Sequence, residues 1–129
     1  MPKASYVSIK RQTKGKLPSL PFQRLKDKIL GKDYDLSIVF ASIRTSKNLN
    51  RRFRGKNRPT NILSFFLSPK SGELVIHAKT AKKEAPRFGR TYKKFLGLLI
   101  IHGMLHLKGF EHGSKMSRKE EMLSRKFNF

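Results

Sequence analysis

The stretch Thr91-Tyr92-Lys93-Lys94-Phe95-Leu96-Gly97-Leu98-Leu99-Ile100-Ile101-His102-Gly103-Met104-Leu105-His106-Leu107 decides the fold. From Phe95 onward, apolar residues surround it on nearly every side. A helix apolar all round belongs in an interior, so the pattern predicts a buried central helix from about Thr91 to Leu107. His102 and His106 are four apart and lie on one face of that helix, one turn above the other. Gly109 can stop the helix, because glycine accepts the left-handed conformation common just past a helix end. His112, three residues later, is then free to swing back toward the first two. A lone histidine on an apolar helix is usually a satisfied core residue. Three that can converge on one point, with no fourth protein ligand in the motif, suit a catalytic zinc with an open position for water.

Gly103 decides what kind of site this is. Zinc peptidases with this spacing place a glutamate directly after the first histidine, as general base. Here glycine stands in its place, so that turn offers no carboxylate. Glycine inside a helix costs roughly 1 kcal/mol relative to alanine. A purpose is therefore expected of Gly103: close approach of another chain segment or of substrate.

Outward from this helix, Tyr6 to Ile9 alternates as a first strand, and Phe22, Leu25, Ile29 and Leu30 recur at helical spacing after Pro21. Leu36 to Phe40 reads as a strand. Thr45 or Ser46 is the expected cap of a helix that Gly55 ends. Ile62 to Leu67 and Glu73 to His77 read as a hairpin about the turn at Ser68-Pro69-Lys70-Ser71-Gly72. A helix over 79–85 is interrupted by Pro86 and Gly89, and a last helix, about 116–127, is expected to pack Met122 and Leu123. The fold class expected is α+β: one mixed sheet of about four strands covered by helices, as a single domain over 1–129.

The chain has 129 residues, with 30 Lys and Arg against 8 Asp and Glu, a net charge of +22. That excess repels itself unless a polyanion is near, and nucleic acid is the natural partner; an anionic membrane surface is the runner-up. The absence of cysteine excludes disulfides and thiolate-bound zinc and fits a reducing cytoplasm. No apolar run approaches the roughly 20 residues of a spanning helix, and Met1 to Leu17 has no apolar core of signal-peptide length. The expectation is a cytoplasmic protein without a membrane partner.

At the histidine motif the sequence resembles the YbeY family of bacterial endoribonucleases. The family signature His-Gly-x-Leu-His-Leu-x-Gly-x-Asp-His is matched by residues 102–112, with Glu111 for the aspartate. Leu49-Asn50-Arg51-Arg52-Phe53-Arg54-Gly55-Lys56 and Pro59-Thr60-Asn61-Ile62-Leu63-Ser64-Phe65 are similar to the family's helix-end arginine and Thr-Asp/Asn-Val-Leu-Ser-Phe strand. Gly72-Glu73-Leu74-Val75-Ile76 is similar to its Gly-Asp-Ile strand. The resemblance spans about residues 33–125.

The resemblance implies a metal-dependent endoribonuclease specific for single strands, acting in 16S ribosomal RNA 3′-end maturation and ribosome quality control. It implies one zinc ion per chain on His102, His106 and His112, with RNA and the small ribosomal subunit as partners. Arg54 matches the functional arginine, in a substrate-binding and catalytic role: a guanidinium can clamp a phosphate bidentately and steady the charge of the transition state. Asn57 stands where the family often has an acid. Glu111, beside the third histidine, is a catalytic candidate that could orient a histidine or carry a proton; the alternative is that it faces solvent. His77 is expected to be a strand-end histidine without catalytic duty, and Lys79, Lys82 and Lys83 a solvated face. Phe65 and Phe66 could stack on bases, with core packing expected for at least one. Two other classes stay open: a zinc metallopeptidase, for which the spacing argues and Gly103 argues against, and a non-catalytic ribosome-assembly factor with a structural metal.

Overall fold

The computed structural model describes residues 6–129, so the first five positions of the expected 1–129 domain lie outside it. In chain order the elements are β1 (Ser8–Arg11), α1 (Phe22–Ile29), β2 (Asp35–Phe40), α2 (Ile43–Arg54), β3 (Ile62–Ser68), β4 (Ser71–Ile76), α3 (Ala78–Glu84), a 3₁₀ turn (Ala85–Phe88), α4 (Tyr92–Lys108) and α5 (Ser114–Phe127). The strands form one sheet in the order β1-β2-β4-β3. β2 lies parallel to both β1 and β4, while β3 and β4 make the antiparallel hairpin. The α+β class with a mixed four-stranded sheet is as the sequence predicted.

Strand alternation divides the sheet into two unequal faces. Leu36, Ile38, Phe40, Ile62, Leu74 and Ile76 join the larger core, built around α4. Leu63 and Val75 point the other way and form a smaller cluster with Ala41, against which Leu49 of α2 and Phe65 pack. The sheet thus lies between α2 and α4, and β3 is the edge strand beside both. That placement decides the site: groups from the two helices can meet over the β3 edge.

α4 is the buried central helix that the apolar pattern predicts. Phe95, Leu96, Ile100, Ile101, Met104 and Leu105 are all buried. The Thr91 hydroxyl caps its start by accepting from the Lys94 amide, 3.3 Å. Gly109, at φ 107°, closes its end, with its own amide donating to the His106 carbonyl and that of Phe110 to Leu105, each at 3.0 Å.

Three local expectations are corrected. α2 begins earlier than Thr45 or Ser46 would allow: Ser42 is the cap, and its hydroxyl accepts from the Thr45 amide at 3.2 Å. Ser46 is instead buried in the helix, donating to the Thr60 carbonyl at 3.0 Å, which ties α2 to the segment leading into β3. β4 starts at Ser71, because the β3–β4 turn is tighter than the five-residue turn expected. In α5, Leu123 and Met116 are buried while Met122 is 51 % exposed, since it falls on the outer face of the helix. No helix among the described residues is long and apolar enough to cross a membrane.

Candidate metal centre

His102 and His106 project from the last two turns of α4, and His112 follows on the turn between α4 and α5. Their ring centroids lie 4.6 Å (102–106), 5.3 Å (102–112) and 4.6 Å (106–112) apart. One nitrogen from each falls within 4.8 Å of the others. The first two are half-buried and the third is exposed.

The outer nitrogens orient the set. His106 Nδ1 lies 3.0 Å from the Phe110 carbonyl, which can only accept, so Nδ1 carries the proton and Nε2 is left with a bare lone pair. The Gly109 stop therefore does two things: it ends the helix, and it presents the carbonyl that fixes the His106 tautomer. His102 Nδ1 is bonded to the Glu120 carboxylate, which fixes the same tautomer. Two Nε2 lone pairs then face each other at 3.1 Å. Such a pair repels until a proton or a cation sits between them. Three nitrogens bound to one tetrahedral zinc at 2.0–2.1 Å lie about 3.3 Å apart. His102 and His106 already have that spacing, and exposed His112 is the member with room to close. The donor set fits a divalent ion with N-ligand preference.

Burial is the largest influence on His106, and with neighbouring His102 it holds the imidazole's pKa below the ordinary histidine value, against the opposing pull of the Phe110 carbonyl. The neutral, ligand-competent form is thereby favoured.

Glu120 is the site residue that sequence reasoning missed. It lies on α5, 18 positions from His102, at a separation that no helical or strand period connects. The available signal was weak: the polar face of a short helix after the third histidine. Glu111, the carboxylate singled out for its place in the motif, is exposed, and no hydrogen bond or ion pair joins it to a histidine.

The three histidines open into a groove of about 990 Å³ also lined by Arg54, Lys56, Asn61, Glu120 and β3 residues Ile62 to Phe65. Arg54, at the C-terminal end of α2, is exposed and donates to the Thr60 hydroxyl at 3.3 Å. It thus shares the groove with the histidines across the β3 edge. Gly55, in the left-handed conformation at φ 68°, ends α2 directly after it.

Gly103 faces the sheet. A β-carbon there would meet Leu74 Cδ2 at 2.7 Å and Ile62 Cδ1 at 2.9 Å, and its carbonyl accepts from the Ser64 hydroxyl at 3.2 Å. The close approach is made by β3 and β4, the first of the two purposes expected of Gly103. His77 stands at the strand end, buried at the N-terminal cap position of α3, with Nδ1 2.6 Å from the Thr80 hydroxyl. Lys79, Lys82 and Lys83 are exposed. Phe65 is half-buried and lines the groove, while Phe66 is 65 % exposed and does not.

Comparison with known proteins identifies the family. The family model described as Endoribonuclease YbeY matches residues 5–128. Two curated relatives named endoribonuclease YbeY, from Nautilia profundicola and Bdellovibrio bacteriovorus, are 37 % and 38 % identical over 103 and 90 residues. The alignments cover 74 % and 68 % of this chain, and 74 % and 60 % of the relatives. A Thermotoga maritima protein solved in solution superposes with a TM-score of 0.64 at 25 % identity, covering 95 % of this chain and 89 % of that one.

Proposed function

The chain belongs to the endoribonuclease YbeY family, and from that premise we propose that it is a metal-dependent endoribonuclease cutting single-stranded RNA. In this reading zinc is the ion, ribosomal RNA of the small subunit the substrate, and the cytoplasm the compartment, with residues 1–129 acting as one domain. The observation that supports it best is the convergence of three histidines, two with their outer nitrogens already satisfied, in one groove with Arg54.

When bound, the ion supplies Lewis acidity to a phosphoryl oxygen and a water acidic enough to react near neutral pH. The chain supplies the rest. His102, His106 and His112 hold the ion, and Glu120 and the Phe110 carbonyl keep two of them in the binding tautomer. Arg54, steadied by Thr60, clamps the phosphate and offsets the charge that grows on it. Glu111, exposed and next to His112 in sequence, is the candidate proton carrier of this reading. The net +22 gives sequence-independent affinity for RNA.

The peptidase alternative needs a carboxylate beside the first histidine to take a proton from water. Gly103 has none, and its Cα points at Leu74 and Ile62 rather than into the groove. Glu120 is engaged with the outer nitrogen of His102. The test is incubation of wild type with labelled single-stranded RNA and, separately, with unfolded protein. RNA cleavage without proteolysis is expected. Metal-dependent proteolysis without RNA cleavage would overturn the reading.

A further inference from the structure

Four phenylalanines line the groove, and two of them are largely exposed: Phe53 at 59 % and Phe88 at 55 %. Leaving a large aromatic ring in water has a cost at each position. Each ring is nevertheless held by a partner. Phe88, on the 3₁₀ turn, stacks on buried Phe95 with centroids 4.8 Å apart and planes at 19°. With one face against Phe95, the exposed part of Phe88 is its opposite face and its edge. Phe53, beside Arg54, packs edge-on against Phe65 at 5.1 Å, and the Arg52 guanidinium lies 6.0 Å from its centroid.

We infer that Phe88 and Phe53 are stacking platforms for nucleobases on either side of the phosphate held at the histidines. The inference rests on the endoribonuclease reading and adds the base-binding subsites of that same groove. A single strand with its phosphate at the histidines must put its unpaired bases somewhere. Proteins that bind such strands combine a positive track for the backbone with aromatic faces for the bases. Both parts are present: Arg54 and Lys56 line the groove, and its carboxylate, Glu120, is engaged with His102. Phe95 precedes His102 by seven residues, two turns of α4, or about 10 Å along the axis. Phe88 above it is within reach of a base about one or two nucleotides from the phosphate, and a base laid on it extends the Phe95–Phe88 stack. Stacking reads no hydrogen-bond pattern, so these subsites favour unpaired over paired strands without selecting sequence.

The test is a cycle of protein and RNA changes. Wild type, Phe88→Ala, Phe88→Leu and Phe53→Ala are titrated with a short single-stranded RNA, and with the same RNA made abasic on either side of the cleavage position. Each lost base–ring stack should weaken wild-type binding about 5- to 150-fold. Phe88→Ala and Phe53→Ala should lose a similar factor on intact RNA and become insensitive to one of the abasic changes. Phe88→Leu keeps apolar volume over Phe95 and should still lose affinity, which separates stacking from support of the core; thermal melts check that each variant is folded. If wild type cleaves the RNA, yet the folded variants bind and respond to abasic sites as wild type does, the stacking assignment is overturned alone. If wild type neither binds nor cleaves single-stranded RNA, the endoribonuclease reading falls and the subsites with it.

Discussion

Removing Glu120 should weaken metal binding although the residue is not itself a ligand in this arrangement. Its carboxylate bonds His102 Nδ1, and both side chains are largely buried, at 21 % and 28 % exposure. Losing the carboxylate frees the ring to rotate and to place its proton on Nε2, the nitrogen that must bind. Outer partners of this kind contribute about 10- to 100-fold to metal affinity. Glu120→Ala, which loses both acceptor and charge at a site with little water to substitute, should sit near 100-fold, about 2.8 kcal/mol. Glu120→Gln keeps an acceptor but loses the charge. Since a charge-assisted bond is roughly twice as strong as a neutral one, about half of that free energy should go, close to 10-fold. Competition for zinc against a fluorescent chelator measures both. Glu121→Ala is the control, because Glu121 is exposed and pairs with Arg125 instead. Affinity for Glu120→Ala within about twofold of wild type would refute the role given to this carboxylate.

Arg54→Ala should retain metal and fold but lose RNA cleavage by roughly 100-fold or more, as expected on removing a group that stabilises transition-state charge; cleavage at the wild-type rate would remove Arg54 from the mechanism. Gly103→Ala gains about 1 kcal/mol of helix propensity but forces overlap with Leu74 and Ile62, for which overpacking costs about 1–3 kcal/mol; the net should be a lower melting temperature, and Gly103→Glu should fail to fold stably. Burial lowers the proton affinity of His77 and His106 in the folded chain. Their contribution to stability is therefore present above the unfolded value of about 6.5 and lost as pH falls through it toward the folded values, so the urea midpoint of chelator-treated protein should drop between about pH 7.5 and 5.5, and less so in His106→Gln. RNA affinity should fall with salt at about −0.7 in logarithmic slope per phosphate contact, and a flat dependence would show that the charge does not face RNA.

The histidine motif was legible in the sequence because its geometry is local. The i, i+4 spacing and a glycine stop place three rings together whatever surrounds them. The buried character of α4 was legible for the same reason, since apolar residues from Phe95 to Leu105 surround it on nearly every side. What the sequence hid depends on contacts between distant segments. Gly103 could be recognised as unusual, but only the register of Leu74 and Ile62 against α4 shows that the sheet occupies the missing side-chain space. Glu111 looked like the partner of a histidine because it adjoins His112. The carboxylate that reaches a histidine arrives from the next helix, and its identity turns on how α5 folds back. Ser42, rather than Thr45 or Ser46, caps α2 because Ser46 is drawn inward to Thr60. Arg54 stood out from Arg51 and Arg52 only by resemblance; its position beside the groove follows from β3 being an edge strand between the two helices.

The most direct test of the account is RNA cleavage as a function of metal content. Protein stripped with chelator should be inactive on single-stranded RNA and regain activity in proportion to added zinc, saturating at one ion per chain. His106→Ala should neither retain the ion nor recover. Cleavage that persists in stripped protein, or in His106→Ala shown to be metal-free, would contradict a reaction centred on His102, His106 and His112.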